Sequence, residues 1–520
     1  MANKSILPAL RLSMELTDVL TDIERAGIKI SKGNLSQIRE DYEKEYSSLY
    51  NDLMRIVEEV MGDTPINLDS PDDRSVLFYS RKVSDKAEWK KIFNIGFELR
   101  GNTKKQKRRT KMRRADFVRA VKDLAPVALK TVGTQCSSCR GLGSYRYRLK
   151  SGDLSKNKTK CKMCKGCGVI YTNVNQAAGL KLKPRGPEDT AAGGFKTDKE
   201  TLEQRLLDLD GTAKVFAEKY MKYSKIRTYL NTFVDSLEKF QDEKGFIHPQ
   251  FMQCVTSTGR LSSRTPNFQN MPRGSTFPAR KAIVSRFNNG YILEGDYRQL
   301  EFRVAGFLSG DAQIYEDVKN GVDVHSYTAE IMGVDRQAAK AHTFKPLYGD
   351  ILGNEKETRY YSAFKKKYLG VADWHERLQR EAVSTKKVVL PSGREYAFPY
   401  AEFNSRGNVA GSTSIKNYPV QGFATADILP IALIKLSTLL RSIIKPAAKS
   451  VIINTVHDSI IMDVHPDEKD QMIYLLKEAM LCIKDEAHLR FGILFDMPID
   501  IELKIGHDWL NLKEIDINDI

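Results

Sequence analysis

Two carboxylates and one helical stripe carry the chemistry this chain could perform. "GYILEGDYRQLEFRVAGFLSGD" predicts a strand over Tyr291 to Asp296 and a helix starting near Arg298, which leaves Asp296 at the strand's carboxyl end. In "VIINTVHDSIIMDV" two apolar runs flank His457-Asp458, a spacing that predicts a hairpin with those two residues at its tip. If the strands are neighbours in one sheet, both acids meet at its rim. Such a pair suits two Mg²⁺ ions, one activating an attacking hydroxyl and both stabilising a phosphoryl transition state. Taken singly, Asp296 reads equally as a helix cap and Asp458 as a turn residue. In "DRQAAKAHTFKPLYGD" the residues Arg336, Lys340, Phe344 and Tyr348 recur every four positions and share a broad helix face. Cations toward the amino end and aromatics toward the other match the polarity of a nucleoside triphosphate. The plainer alternative is a mixed solvent face with two buried aromatics.

Five of the seven cysteines fall between residues 136 and 167. "CSSCRGLG" and "CKMCKGCG" each fit CxxCxGxG, so Cys136, Cys139, Cys161 and Cys164 form two thiolate pairs suited to one tetrahedral, structural Zn²⁺. The glycines permit tight turns that aim backbone amides at sulfur. Cys167 is a spare that could replace Cys164, and a redox dithiol or unconnected surface cysteines are the alternatives. Both halves resemble the cysteine-rich repeat of DnaJ-type zinc modules, in which four repeats hold two metals; two repeats imply one. Cys254 and Cys482 read as ordinary core residues.

The elements that position these groups follow from periodicity and composition. The first ninety residues read as helices, with Gly27 as a stop, and residues 200 to 240 return to helical spacing with Lys222, Lys225 and Arg227 available for a nucleic-acid backbone. "KPRGPEDTAAGGFK" is a connection, and beyond about residue 250 short strands alternate with helices. At 520 residues the chain exceeds what one core supports, so two or more subdomains are expected. The formal charge of +16 points to a polyanionic partner, nucleic acid before acidic membrane. "KKQKRRTKMRR" packs basic residues without an acid, either a solvated loop or a phosphate contact. There is no signal-peptide core and no run of about 18 apolar residues, so no membrane partner and a cytoplasmic location are expected.

These motifs resemble those of family A DNA polymerases. "DYRQLEFR" is similar to motif A, "RQAAKAHTFKPLYG" fits the motif B pattern RxxxKxxxFxxxYG, and "VHDSI" resembles motif C. "TGRLSSRTPNFQNMP" looks like the palm-entry motif, "KNYPVQG" the template-side motif, "PINLDSPDDRSVLF" a thumb-side segment and "KIGHDWLNLKE" the closing strand and tail. The resemblance implies a mixed α+β right-hand fold. Its parts would be a thumb at 1–245 with a basic, zinc-binding insertion at about 100–180, palm at 246–312 and 426–520, and fingers at 313–425. It implies a DNA-directed DNA polymerase acting on primer-template DNA and dNTPs with two Mg²⁺, bound by Asp296, Asp458 and the carbonyl of Tyr297. Arg336, Lys340 and His325 would hold the triphosphate, Lys340 protonating pyrophosphate; Phe344, Tyr348 and Gln299 would contact the nucleotide, and Glu301 would exclude a 2′-hydroxyl. Arg260, Gln269, Asn417 and Gln421 would contact primer or template, with His457 beside the primer terminus.

Three departures from the family pattern carry expectations. Ser459 stands where cellular members carry Glu, so that acid's role is absent or supplied elsewhere. Lys345-Pro346 replaces small residues, and Pro346 cannot donate to the carbonyl of His342, so a kink is expected beside the nucleotide site. Both resemble phage members. The chain opens almost directly on thumb-like sequence, which leads to the expectation that no 3′-5′ exonuclease or 5′ nuclease is present and that any exonuclease is a separate polypeptide. The insertion is expected to grip duplex DNA or to dock a processivity factor or other replisome protein. Against a single-subunit RNA polymerase stand Glu301 and Phe344; against an inert nucleic-acid binder stand Asp296, Asp458, Arg336 and Lys340.

Overall fold

The computed structural model describes residues 6–100, 103–106, 112–349, 354–405, 407–443 and 448–516. The basic side chains from Lys104 to Lys111 lie outside the described residues. The chain forms two compact units, one from residues 1–39 with 231–520 and the other from 40–230.

The first unit is built on a five-stranded antiparallel sheet in the order Val451–Val456, Ser459–Val464, Tyr291–Tyr297, Ile501–Gly506, Lys513–Ile515. Alternation along the central strand decides what each face does. Gly295 lies under helix Lys469–Leu481, so close that a Cβ there would come within 2.5 Å of Met480 Sδ and 3.0 Å of Leu476 Cδ2. Tyr297, on the same face, is buried and donates its hydroxyl to the carbonyl of Met480 at 2.8 Å. Asp296 must therefore point to the opposite face.

Helix Leu7–Ala26 places Leu12, Leu16, Val19 and Ile23 at helical spacing into the same core as the sheet and helix Leu429–Ile443. Residues 1–39 and 231–245 fall in the same compact unit as the sheet, and the apolar stripe of helix Leu7–Ala26 is spent in its core. Gly27 ends the helix at φ 67, as expected. Arg286 then fastens it, donating to the carbonyls of Ala26 (3.1 Å) and Gly27 (2.8 Å) while its Nε meets Asp463 at 2.7 Å. Asp463 is fully buried on the hairpin's second strand, Ser459–Val464. Arg286→Met is expected to strand that carboxylate and destabilise the unit by about 3–5 kcal/mol, read as a fall in its thermal midpoint; an unchanged midpoint would show that Asp463 is satisfied without it.

Between residues 300 and 385 the described chain is helical, rather than alternating with strands as expected. The run Ser412–Ser442 is long and apolar enough to cross a membrane by length and composition, yet 78% of its apolar window is buried within the fold. It widens into a π-helix over Phe423–Ile428, just after Pro419, whose missing N–H disrupts the ladder. Asp427, in the widened part, is fully buried and paired with Arg394 at 2.9 Å and Ser392 at 2.6 Å.

The second unit packs Leu53, Val57, Phe78, Trp89, Phe117, Phe195 and Phe216 into its own core. A ribbon of Leu129–Gln135 and Val169–Ala177 carries the cysteine-rich head. The ribbon is rooted at the end of helix Lys32–Met61: Asp63 donates its N–H to Thr131 O (2.9 Å) and accepts from Gly133 N–H (2.7 Å), and Lys130 Nζ reaches Glu59 O at 2.7 Å. Lys222 and Arg227, expected to face a nucleic-acid backbone, are ion-paired with Glu45 and Asp69. Cys254, in the first unit, is exposed rather than in the core, because it follows a short edge strand, Gln250–Met252, in an open turn; Cys482 is half-buried.

Candidate active site

The hairpin forms as its pattern predicts, with His457 in the left-handed region at φ 58, a conformation that non-glycine residues rarely hold outside sites that need it. Register places Asp296 opposite Ser459 and next to Asp458, and the N–H of Tyr297 donates to the carbonyl of Asp458 at 3.3 Å. Burial pushes the Asp296 carboxyl up to about 7, with the Asp458 charge adding to it. Asp458 is pushed up to about 6, again chiefly by burial. Two carboxyls that resist ionising together form a site that a cation would complete. Arg273, not anticipated from sequence, supplies a partial counter-charge 3.7 Å from Asp296. The side chain of Tyr297 is turned away into the core, so only its main chain can face the acids.

Ser459 is fully buried and donates to the carbonyl of Val456 at 2.9 Å, so it serves the turn. The acid flanking Asp296 comes from the other side: Glu502 is its partner across strand Ile501–Gly506, and its charge also raises the Asp296 carboxyl. Sequence reasoning missed Glu502 because nothing in "IDIELKIG" reveals which strand it pairs with.

Gln269 braces the hairpin through both ends of its amide, Nε2 to Thr455 O (2.5 Å) and Oε1 from His457 N–H (3.3 Å). His457 is held well below the usual imidazole range, at about 4, by burial and by Arg260, Arg273 and Arg280. A cavity of about 250 Å³ opens here, lined by Arg260, Asn267, Gln269, Thr455 and His457 among others. Helix Leu300–Ser309 presents Glu301, whose charge adds to the rise of the Asp458 carboxyl and which accepts from Arg260 Nη2 at 2.6 Å and from the hydroxyl of Tyr348. Gln299 precedes that helix in a left-handed conformation (φ 53), half-buried.

The expected kink is a full stop and restart. The helix runs Arg336–Thr343, Phe344 turns out at φ −99, and a second short helix spans Lys345–Tyr348 with Pro346 in its first turn. The carbonyl of His342, which Pro346 cannot serve, takes the N–H of Phe344 instead. Arg336 and Lys340 are exposed, Phe344 and Tyr348 half-buried. His325 bonds Thr343 Oγ1 at 2.9 Å through Nδ1, and its ring packs 5.3 Å from that of Phe344. Its pKa is lowered by burial and then by Arg336 and Lys340, which places the three in one electrostatic neighbourhood. Arg336 is held by Asp323 at 2.6 Å, an unanticipated partner that also caps helix Val324–Met332. Asn417 and Gln421 lie one turn apart on helix Ser412–Gly422, which packs against the Lys345–Tyr348 helix. Asn417 Oδ1 is buried without a hydrogen-bond partner among the described residues, as is Arg260 Nε.

In the second unit the four thiols of Cys136, Cys139, Cys161 and Cys164 are buried, with all sulfurs within 4.8 Å of one another. Sγ separations of 3.8 Å (Cys136 to Cys161) and 3.6 Å (Cys139 to Cys164) match the roughly 3.8 Å edge of a tetrahedron with metal–sulfur distances of about 2.3 Å. Gly143 and Gly168 aim their N–H groups at Cys139 and Cys164 at 3.3 and 3.2 Å. The halves complete each other: Cys136 N–H donates to Gly168 O and Cys161 N–H to Gly143 O. Cys167 is exposed and outside the cluster, so it is not the alternative ligand.

The family model "DNA polymerase family A" matches residues 174–511. DNA polymerase I of Lactococcus lactis subsp. lactis (strain IL1403) is 34% identical over 388 residues, covering 69% of this chain and 41% of that protein. The thermostable DNA polymerase I of Thermus filiformis is 32% identical over 345 residues, covering 61% and 39%. The chain thus spans about two fifths of the length of these relatives. Among solved structures, the POL domain of Pol1 from M. smegmatis in complex with DNA primer-template and dNTP shares the fold at a TM-score of 0.63 and 20% identity, covering 96% of this chain and 70% of that one. With a family model spanning both acid-bearing strands and the helix between them, the chain belongs to DNA polymerase family A.

Proposed function

We propose that the chain is a template-directed DNA polymerase that adds dNTPs to a primer 3′-hydroxyl. The observation that carries this reading is the buried pair Asp296 and Asp458, both pushed toward neutrality, in the same unit as a helix that exposes Arg336 and Lys340. Asp296, Asp458 and the carbonyl of Tyr297 would hold two Mg²⁺. When bound, these ions activate the attacking hydroxyl and offset charge on the transferring phosphoryl group. Arg336, Lys340 and His325 bind the triphosphate, and Lys340 is the proton donor to departing pyrophosphate. Phe344 and Tyr348 border the sugar and bases; Gln299 adds a nucleotide contact. Arg260, Gln269, Asn417 and Gln421 contact primer and template, with His457 at the primer end; the unpartnered polar atoms of Arg260 and Asn417 support this. Zn²⁺ is the metal that fits the four thiolates, in a structural role because no coordination position is left open. Ser459 and Lys345-Pro346 support a phage-type member.

The competing reading, a single-subunit RNA polymerase, is disfavoured by Glu301, which Arg260 and Tyr348 fix in place. Primer extension with dNTPs and rNTPs tests both. Wild-type protein is expected to extend with dNTPs, and Glu301→Ala to lose at least about tenfold of its dNTP-over-rNTP preference. Preferential rNTP use by the wild type would favour the RNA polymerase, and binding without extension would exclude both.

A further inference from the structure

The polymerase reading leaves the surface of the cysteine-rich head unused. Residues 136–168 carry nine Lys or Arg against one acid, Asp153, so half of the chain's formal net charge of +16 sits in this segment. All nine cations are exposed, and none forms an ion pair among the described residues. By contrast, Lys219, Lys222 and Arg227 of the same unit are all paired with carboxylates.

The arrangement of those cations is specific. Between the cysteine pairs the chain pairs back on itself, Tyr145 opposite Thr159 and Arg148 opposite Leu154. Of residues 144–150 only Ser144–Tyr145 is a regular strand; along "YRYRLK" Tyr145, Tyr147 and Leu149 alternate in sequence with Arg146, Arg148 and Lys150, and all six side chains are exposed. The return run carries Lys156, Lys158, Lys160 and Lys162 at the same two-residue spacing. Tyr145 is 38% and Tyr147 50% exposed, and the knuckle tips present Leu142 and Met163. Large apolar side chains left exposed among unpaired cations are poorly placed for solubility alone.

From this we infer that the head is a binding surface for single-stranded DNA, in which the tyrosines stack on bases and the flanking cations meet phosphates. Duplex DNA would use the cations but leave the rings idle, because its bases are already stacked. A protein partner would have to supply a strongly acidic face, and it would not explain the alternation of ring and cation. The ribbon's anchorage at Asp63 and Glu59 makes the head a fixed fixture of its unit rather than a tethered one. The inference uses the metal assignment only for the head's integrity and does not require the polymerase assignment.

The test uses the full chain with its metal bound and an excess of unlabelled hairpin primer-template, so that the polymerase site is occupied. Fluorescence anisotropy then follows a labelled oligothymidylate of about 16 nucleotides across a salt series. Wild-type protein is expected to bind it. The quadruple variant Arg146→Ala, Arg148→Ala, Lys158→Ala, Lys160→Ala is expected to bind at least about tenfold more weakly, with the log–log salt slope reduced by about 3. Tyr145→Ala and Tyr147→Ala are each expected to cost about fivefold or more, whereas Tyr145→Phe and Tyr147→Phe retain binding. Wild-type affinity in the quadruple variant, tighter binding of a labelled duplex than of the oligothymidylate, or retention of an acidic protein in place of DNA would each overturn the inference. Loss of primer extension with oligothymidylate binding intact would instead count against the polymerase assignment.

Discussion

Asp458→Asn is expected to abolish nucleotide incorporation while raising the stability of the metal-free protein at pH 8. The two effects share one cause. Removing one carboxylate removes several kcal/mol of transition-state stabilisation, about a thousandfold or more in rate. The same carboxylate is a burden when no cation is bound. Asp296 and Asp458 have folded-state values of about 7 and 6 against 3.8 for the free group. A raised acid means that the folded state holds more protons than the unfolded one between roughly pH 4 and 7, so stability falls as pH rises through that window. The loss is on the order of several kcal/mol. In EDTA, wild-type protein should therefore melt higher at pH 5 than at pH 8, Asp458→Asn should flatten that difference, and Mg²⁺ should restore the wild type at pH 8. A variant that melts lower than wild type at pH 8 in EDTA would show that the carboxylates are satisfied without metal.

The second large effect concerns the cysteine cluster. Structural zinc contributes about 10–16 kcal/mol to small sites of this kind, and the head between residues 136 and 168 has little else: its buried cluster consists of the four cysteines, with Ile170 packed against them. Chelation, or Cys136→Ser with Cys161→Ser, is expected to open the head to proteolysis within residues 136–168. The core around Phe78, Trp89 and Phe216 should stay protected, because it does not include those cysteines. Metal analysis should find one zinc per chain. A head equally resistant with and without metal would mean that its turns and ribbon hold it unaided.

What was legible in the sequence had short-range periodicity behind it. The hairpin around His457-Asp458 and the strand ending at Asp296 are each set by spacing within a few residues, and the structure reproduces them; of the Arg336 to Tyr348 stripe only Arg336 and Lys340 share one continuous helix, which ends at Thr343. The CxxCxGxG pairs were equally plain because thiolate spacing is a local constraint. What escaped depends on which distant elements meet. Glu502 flanks Asp296 only through strand register, and Asp323 finds Arg336 only through helix packing. The N-terminal helix showed its apolar stripe but not the surface that stripe would cover, which is the core of the sheet-bearing unit. Pro346 announced a disruption but not its form, which the structure shows as a stop at Thr343, with the N–H of Phe344 donating to His342 O, and a restart at Lys345.

The reciprocal bonding of the two cysteine knuckles has an evolutionary corollary. Because Cys136 borrows its acceptor from Gly168 and Cys161 from Gly143, each half is a fragment whose missing part is the other half. Deleting one would leave two orphaned thiols and an unclosed turn, with no partial version to select. Such a head can be acquired or discarded only as a matched pair, so relatives with this ribbon should carry both knuckles or neither.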